Sequence, residues 1–433
     1  MADLTAALLF DDLTPAEVER AERVESVLPA LEAAAVEADR TATFPASHVA
    51  TLGEAGLLGL VVPERLGGLG GGLRDLTAAT FAMGSACPST ALAFFFHNSS
   101  ASRGLLPLEA VEAGLFSSEE AVEVSAFAEK ILHRLGTERR WMANFASESA
   151  KSSTANISIS TAAEPSQRDG VDGWVINGVK SFGCATGVAD DYLVTATFPG
   201  GTTADHLGVF LVDRHSAGVG ERTRWDAIGM RATATHGITL TDVFVPAEDA
   251  LAIPGAFTRM MRVSRGSFVG SQVAGTAVYL GAALASRRFA TEHLRTSTFV
   301  DTGAPIGTAP FQQQLLGQLL ADFETARLWL ARQVELEVSD PPIMDKDEVV
   351  RQWRLAKGSV AQHAFAVGTG AFTACGTSNT TNSGVLSRML RDLSMGLVQA
   401  FPAEKGRMEA ATMVVNGTGS TQFAPADPPA TPR

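Results

Sequence analysis

The stretch Gly173–Ala196, GWVINGVKSFGCATGVADDYLVTA, decides the fold. Its runs are short, rich in β-branched and aromatic residues, and broken by Gly, Asn and Asp, which is the pattern of strands joined by turns. The same character extends outward. On the amino side lie ISIST (157–161) and QRDGVDG (167–173). On the carboxyl side lie PGGTTADHLG (199–208), VFLV (209–212) and GITLTDVFV (237–245). Together they predict an all-β unit of about 110 residues that begins after Trp141.

Both flanks read differently. Thr14-Pro15 is a helix start, with Thr as N-cap and Pro in the first turn, followed by 3–4 spacing of apolar residues over 16–38. Helices are predicted over 49–59, over the Ala- and Ser-rich span 73–96, over 107–117 and over 119–135. The GLGGGL run within Gly67–Leu73 interrupts them as a loop that needs unusual backbone angles. It is not a dinucleotide fingerprint, because no strand precedes it. Beyond Phe257, the spans 263–289, 311–339 and 346–372 are too long for anything but helices, and a last pair covers 385–397 and 402–415. The expected organisation is α+β: an all-α domain over 1–138, a β domain over 139–252, a helical bundle over 253–423 and a proline-rich disordered tail, APADPPATPR, over 424–433.

Composition narrows the function. The 433 residues carry 47 acids against 34 bases, a net charge of −13, which repels a phosphate backbone and argues against a nucleic-acid partner. Three scattered cysteines, Cys87, Cys184 and Cys375, form no CxxC, and the eight histidines form no HxxxH pair, so neither a disulfide framework nor a metal site is expected. No signal peptide is read at the start, and the apolar stretch Thr276–Ala285 falls far below the length of a membrane span. A soluble, cytoplasmic protein is the expectation.

Four segments in order then resemble one family. EADRTATFP (37–45) followed by LGEAGLLGLVVPERLGGLGGGLRDL (52–76), the β stretch quoted first, WDAIGMRATATHGITLTDVFVP (225–246) and FQQQLLGQLLADFETARLWL (311–330) are similar to acyl-CoA dehydrogenases. The resemblance implies the fold of that family, FAD as cofactor and a homotetramer. It also implies a flavin ring between the β domain and the bundle, with a neighbouring subunit over the adenine half. A flat ring of this kind must be gripped on its faces and edges, so that substrate meets it at one atom.

The resemblance also assigns residues. The family's hydroxyl-bearing flavin segment corresponds to Ser147–Thr154, which places Ser147 at the flavin and Ser153 near the substrate entrance. Phe182 stands where an aromatic covers a flavin face, or else is a core aromatic. Cys184 stands at a hydroxyl position, as a weak donor or as a small buried filler. Arg295, with Phe299 in a stretched version of the same motif, matches the arginine that meets a neighbour's pyrophosphate, a role suited to a bidentate guanidinium. Gln314 precedes the bundle helix, and Gly376 and Thr377 match a turn on the adenine side.

The usual catalytic glutamate is missing. Counted from Arg391-Asp392, its position falls on Ala400, and the alternative position on the first bundle helix falls on Arg265, also a candidate for substrate contact. Gln399 is the nearest polar side chain. Glu404 and Glu409 follow on the last helix. The leading expectation is α,β-dehydrogenation of an acyl thioester, on CoA or a carrier protein, with an electron-transfer protein as partner. The alternative is a two-component flavin monooxygenase that takes reduced FMN from a flavin reductase and oxygenates N, S or C of a small molecule. A ligand-binding scaffold without turnover stands third.

Overall fold

The computed structural model describes residues 4–149, 159–201, 203–222, 224–264 and 273–417. Ser153, Arg265 and the tail 424–433 lie outside them. Helix α1 (Pro15–Thr41) opens as the sequence dictates: Thr14 and Glu17 form a reciprocal capping box and Pro15 sits in the first turn. Helix α2 (Ala46–Glu54) follows, then the glycine loop, where Gly67 and Gly70 have φ of 81° and 63°. The span expected as one helix over 73–96 is two, α3 (Leu73–Ala86) and α4 (Pro88–Ser99). Cys87 is extended at φ −142° because the residue before a proline is driven out of helical geometry, and Pro88 then starts the next helix. Helix α5 (Ser102–Glu112) starts earlier than expected and carries Pro107 inside it; α6 (Ser118–Gly136) closes the amino-terminal helices.

The sheet contains β1 (Met142–Phe145), β2 (Ala162–Arg168), β3 (Val171–Gly183), β4 (Asp191–Thr197), β5 (Leu207–Asp213), β6 (Val219–Glu221), β7 (His236–Pro246) and β8 (Ala250–Leu251). Their order is β6-β7-β3-β2-β4-β5-β8, with β1 pairing parallel to β4. Two positions differ from the sequence reading. Ile159–Thr161 is not in a strand, and β1 adds a short strand that its four residues did not announce. The β2–β3 hairpin turns on Asp169-Gly170, both with positive φ, as a two-residue Asp-Gly hairpin requires.

After α7 (Ala256–Val263) come the long helices α8 (Val273–Thr296), α9 (Pro310–Val338) and α10 (Lys346–Cys375), then α11 (Val385–Gly396) and α12 (Ala403–Asn416). Small residues let α8 lie directly on α3. A Cβ on Gly281 would stand 2.2 Å from the Phe81 carbonyl oxygen, and one on Gly84 2.5 Å from that of Val278. One apolar core runs through all three parts, with Leu31, Phe81, Trp141, Tyr192, Phe210, Tyr279 and Phe323 fully buried. His97 ties the first part to the second. Its Nε2–H donates to the Leu58 carbonyl at 2.8 Å while its Nδ1 accepts from the Met142 amide at 3.0 Å, which fits the neutral ring that burial enforces by lowering its pKa to about 4. Among the described residues, no helix is long and apolar enough to cross a membrane, and no group of three His, Cys, Asp or Glu side chains is set to hold a metal.

Candidate functional site

The corner at the end of β3 is built from the inside out. Lys180 and Glu148, 0% and 3% exposed, pair at 2.8 Å. Burial by itself would raise the Glu148 pKa, but donors from Lys180 and from Ser160 (Oγ and backbone N–H) outweigh it and hold the carboxyl at about 2. The backbone amide of Thr161 adds a further bond at 2.9 Å. This anchor fixes the segment 146–149 against β3, where the Ser181 amide donates to the Ser147 carbonyl at 2.9 Å. A polar row leads outward from the buried Ser181: its hydroxyl meets that of Ser149 at 2.7 Å, and the Arg222 guanidinium donates to it at 3.0 Å.

Next to that row the pairing of β3 with β7 slips between Lys180 and Gly183. A bulge of this kind re-aims one side chain. Phe182, at φ 63°, is turned outward and is 54% exposed, so it is not a core aromatic. Gly183 permits the bend, since a Cβ there would stand 2.2 Å from the Phe145 ring. Trp225 backs Phe182 edge-to-face, with ring centroids 6.2 Å apart and planes at 85°. Its indole N–H donates to the Met230 carbonyl at 3.0 Å, and its backbone amide donates to His236 Nδ1 at 2.8 Å. An exposed aromatic with a perpendicular aromatic behind it and a row of hydroxyls beside it suits a flat ring with polar edges. Ser147, Ser149, Phe182 and Trp225 are the described residues fit to hold the flavin ring.

Cys184 does not join them. Its side chain is 3% exposed, burial pushes its pKa up to about 12, and its sulfur meets the Thr235 hydroxyl at 3.1 Å. A side chain that touched the ring would be exposed when the ring is absent. The burial favours the filler reading of Cys184, which packs over a chain of hydroxyls in which Thr235 meets Thr233 at 2.6 Å and Thr233 donates to the Met230 carbonyl.

Arg391 and Asp392 hold the parts together at this corner. Arg391 grips the Asp39 carboxylate of α1 with both terminal nitrogens, at 2.9 and 2.5 Å. Asp392, 2% exposed, accepts the Met230 amide at 2.6 Å, and burial pushes its pKa up to about 6. The loop carrying Gly229 lies so close to α11 that a Cβ there would stand 2.0 Å from the Arg391 carbonyl oxygen. In the sequence this pair served as a counting anchor and as a sign of flavin binding; in the structure it clamps α1, the β domain and the bundle.

Ala400, the position counted for the base from the resemblance, lies just beyond. Ala400 is exposed, at φ 65°, in a tight turn closed by the Phe401 amide donating to the Gln399 carbonyl at 2.9 Å. Gln399 beside it is half-buried. Helix α12 begins at Ala403 and directs its carboxylates elsewhere. Glu404, 73% exposed, pairs with Arg407, while Glu409 pairs with Arg354 of α10 at 3.0 Å. Neither takes the place of a base.

The remaining candidates sit at one end of the bundle. Arg295 ends α8 and Phe299 follows it, Gln314 lies in the first turns of α9, and Gly376 and Thr377 follow the end of α10. The antiparallel α9–α10 hairpin brings those ends together, and all five residues are exposed. Trp225 and His236 went unread as site residues. The only signal for Trp225 was its place at the head of a segment resembling the family.

Known proteins agree with this picture. Family models for the acyl-CoA dehydrogenase N-terminal, middle and C-terminal domains match residues 21–108, 143–243 and 273–401. The amino sugar nitrososynthase RubN8 of Streptomyces rubradiris is 29% identical over 377 residues, covering 85% of this chain and 82% of its own. The short-chain specific mitochondrial acyl-CoA dehydrogenase of Mus musculus is 25% identical over 395 residues, covering 90% and 83%. The structure of KijD3 with FMN and dTDP-3-amino-2,3,6-trideoxy-4-keto-3-methyl-D-glucose superposes with a TM-score of 0.77 at 23% identity, covering 96% of this chain and 98% of the other. With the three domain models matched in order along its length and relatives of both chemistries at similar identity, the chain belongs to the acyl-CoA dehydrogenase family of flavin-dependent oxidoreductases.

Proposed function

We propose that this chain is a flavin-dependent monooxygenase that oxygenates a heteroatom, an amine nitrogen, of a small polar substrate. The observation that carries the reading is Ala400. Where the dehydrogenases place a glutamate, this chain has an exposed methyl group in a tight turn, and the nearest carboxylates of α12 are engaged in ion pairs. A thioester α-proton does not leave without a positioned base. A neutral amine nitrogen carries a lone pair; its ammonium form gives up an N–H proton to water or buffer readily, and no C–H proton has to be pulled off by a positioned base before it is oxygenated. The nitrososynthase relatives support the same side of the choice.

When bound, the reduced flavin supplies two electrons and, with dioxygen, the oxygen atom to be transferred; the second oxygen atom leaves as water. The chain does the rest. Phe182, backed by Trp225, would face the ring, Ser147 and Ser149 would lie at its polar edge, and Arg222, held by the buried Ser181 hydroxyl, would orient a polar substrate. Packing of α1, the β domain and α11 around Arg391 and Asp392 keeps water from the inner side. FMN delivered by a flavin reductase is favoured over resident FAD because KijD3 and TdsC are FMN complexes. An FAD would in addition use the adenine-side group of Arg295, Phe299, Gln314, Gly376 and Thr377, with a second subunit of a homotetramer.

The test supplies the purified chain with reduced FMN, air and amino-sugar nucleotides, and in parallel with acyl-CoA thioesters and an electron acceptor dye. Amine-dependent incorporation of heavy-isotope oxygen into product supports the proposal. Dye reduction by an acyl-CoA, with no oxygenated amine, restores the dehydrogenase expectation.

A further inference from the structure

Lys357 lies in the middle of α10 with 0% of its surface exposed. A buried ammonium is expensive to desolvate and is ordinarily matched by a carboxylate. Among the described residues none pairs with it: the nearby acids Asp392, Glu404 and Glu409 pair with the Met230 amide, Arg407 and Arg354. Its partners are two backbone carbonyls, Gly396 at 2.8 Å and Phe401 at 2.6 Å, with the Phe401 ring centroid 5.5 Å away. Gly396 is the last residue of α11, whose final carbonyls have no helical donor and favour a cation. Phe401 leads into α12. One ammonium therefore bridges the end of one helix to the start of the next.

Between the two carbonyls lies the turn with Ala400 at φ 65°. An alanine in that region persists only where its surroundings hold it. Packing closes the rest of the frame. A Cβ on Gly396 would stand 2.8 Å from the Tyr279 ring, and one on Gly358, next to the lysine, 2.7 Å from the Ala403 Cβ. The loop lies flat on α8 and α10 and is pinned at both ends.

We infer that Lys357 is the positioning residue of this site: its ammonium latches the 396–401 loop shut, holds Ala400 in its left-handed turn and so presents Gln399 and Val398 at the rim where substrate meets the flavin. The inference rests on the site assignment above, but its first readout does not depend on it.

The experiment follows hydrogen–deuterium exchange in the full chain, with and without FMN, for wild type, Lys357→Gln, Lys357→Met and Lys357→Met/Ala400→Gly. Amides of the 397–401 turn should exchange about tenfold faster in Lys357→Met, less so in Lys357→Gln, while β3 stays within about twofold. Adding Ala400→Gly should recover part of the loss, because glycine holds a positive φ without restraint. The visible spectrum of bound FMN should change shape in Lys357→Met with its affinity within about threefold of wild type. Unchanged turn exchange in a folded variant, or a uniform rise across α10, α11 and α12 with no recovery by glycine, overturns the latch. If Lys357→Met does not fold, a local rise in Lys357→Gln decides the question alone. Failure of the wild type to bind FMN overturns the flavin reading and leaves the exchange result standing.

Discussion

The two ends of the bundle contrast sharply. At the Phe182 corner, the exposed groups stand on bonded supports: Phe182 on the half-buried Trp225, Ser147 and Ser149 on the buried Glu148–Lys180 pair, the 228–230 loop on the buried Asp392. At the far end, Arg295, Gln314, Gly376 and Thr377 lie exposed, with the Thr380 hydroxyl donating to the Thr377 carbonyl at 2.8 Å. The first region is a corner braced from within; the second is an exposed surface. Rigid support is what a reacting ring needs, because small misplacements are costly to rate, whereas a charge that meets another molecule's phosphate can wait for it.

Four experiments break or sharpen this contrast. Lys180→Met strands the Glu148 carboxylate in the interior, and loss of one member of a buried pair costs about 3–5 kcal/mol. Urea unfolding should report that loss, and flavin binding should fall with it. Second, the Asp392 carboxyl has a folded value of about 6 against an ordinary 3.8. The folded protein thus holds the proton more tightly. The stabilising contribution is complete below the ordinary value and is lost as pH rises through about 6, a change of roughly 3 kcal/mol. Asp392→Asn should flatten that part of the stability profile between pH of about 4 and about 7.

Third, Phe182→Ala removes a half-exposed ring and should leave thermal unfolding nearly unchanged, while FMN affinity, followed by flavin fluorescence, weakens about tenfold. A large stability loss instead would return Phe182 to the core. The smallest effect belongs to Arg295→Ala, expected within about 0.5 kcal/mol of wild type in stability and without effect on FMN affinity. A clear loss of FAD affinity confined to assembled protein would show that the far end is completed by a neighbour.

Much of the frame was readable from residues alone. Helices α9 to α12 were legible to within a few positions, because long 3.6-residue periodicity has no strand alternative. The Asp169-Gly170 hairpin announced its own turn chemistry. Short-range rules failed where a neighbour intervened. The strand β1 exists because β4 offers it an edge, and Pro107 is tolerated within α5 even though proline is a usual helix boundary. At the site, Phe182 was found by resemblance, but its exposure follows from a register slip against β7, fifty-odd positions away. Lys357 carried no signal at all, being one lysine on a long amphipathic helix until the fold brought Phe401, 44 residues on, to its ammonium.

The order helix, sheet, helix was settled by the chain's own residues, since periodicity and turn chemistry are local properties. Which charges are buried and matched, which thiol is hidden and which aromatic faces out were decided only in three dimensions. Desolvation and pairing depend on segments far apart in sequence, and Asp392 meets the Met230 amide across 162 residues.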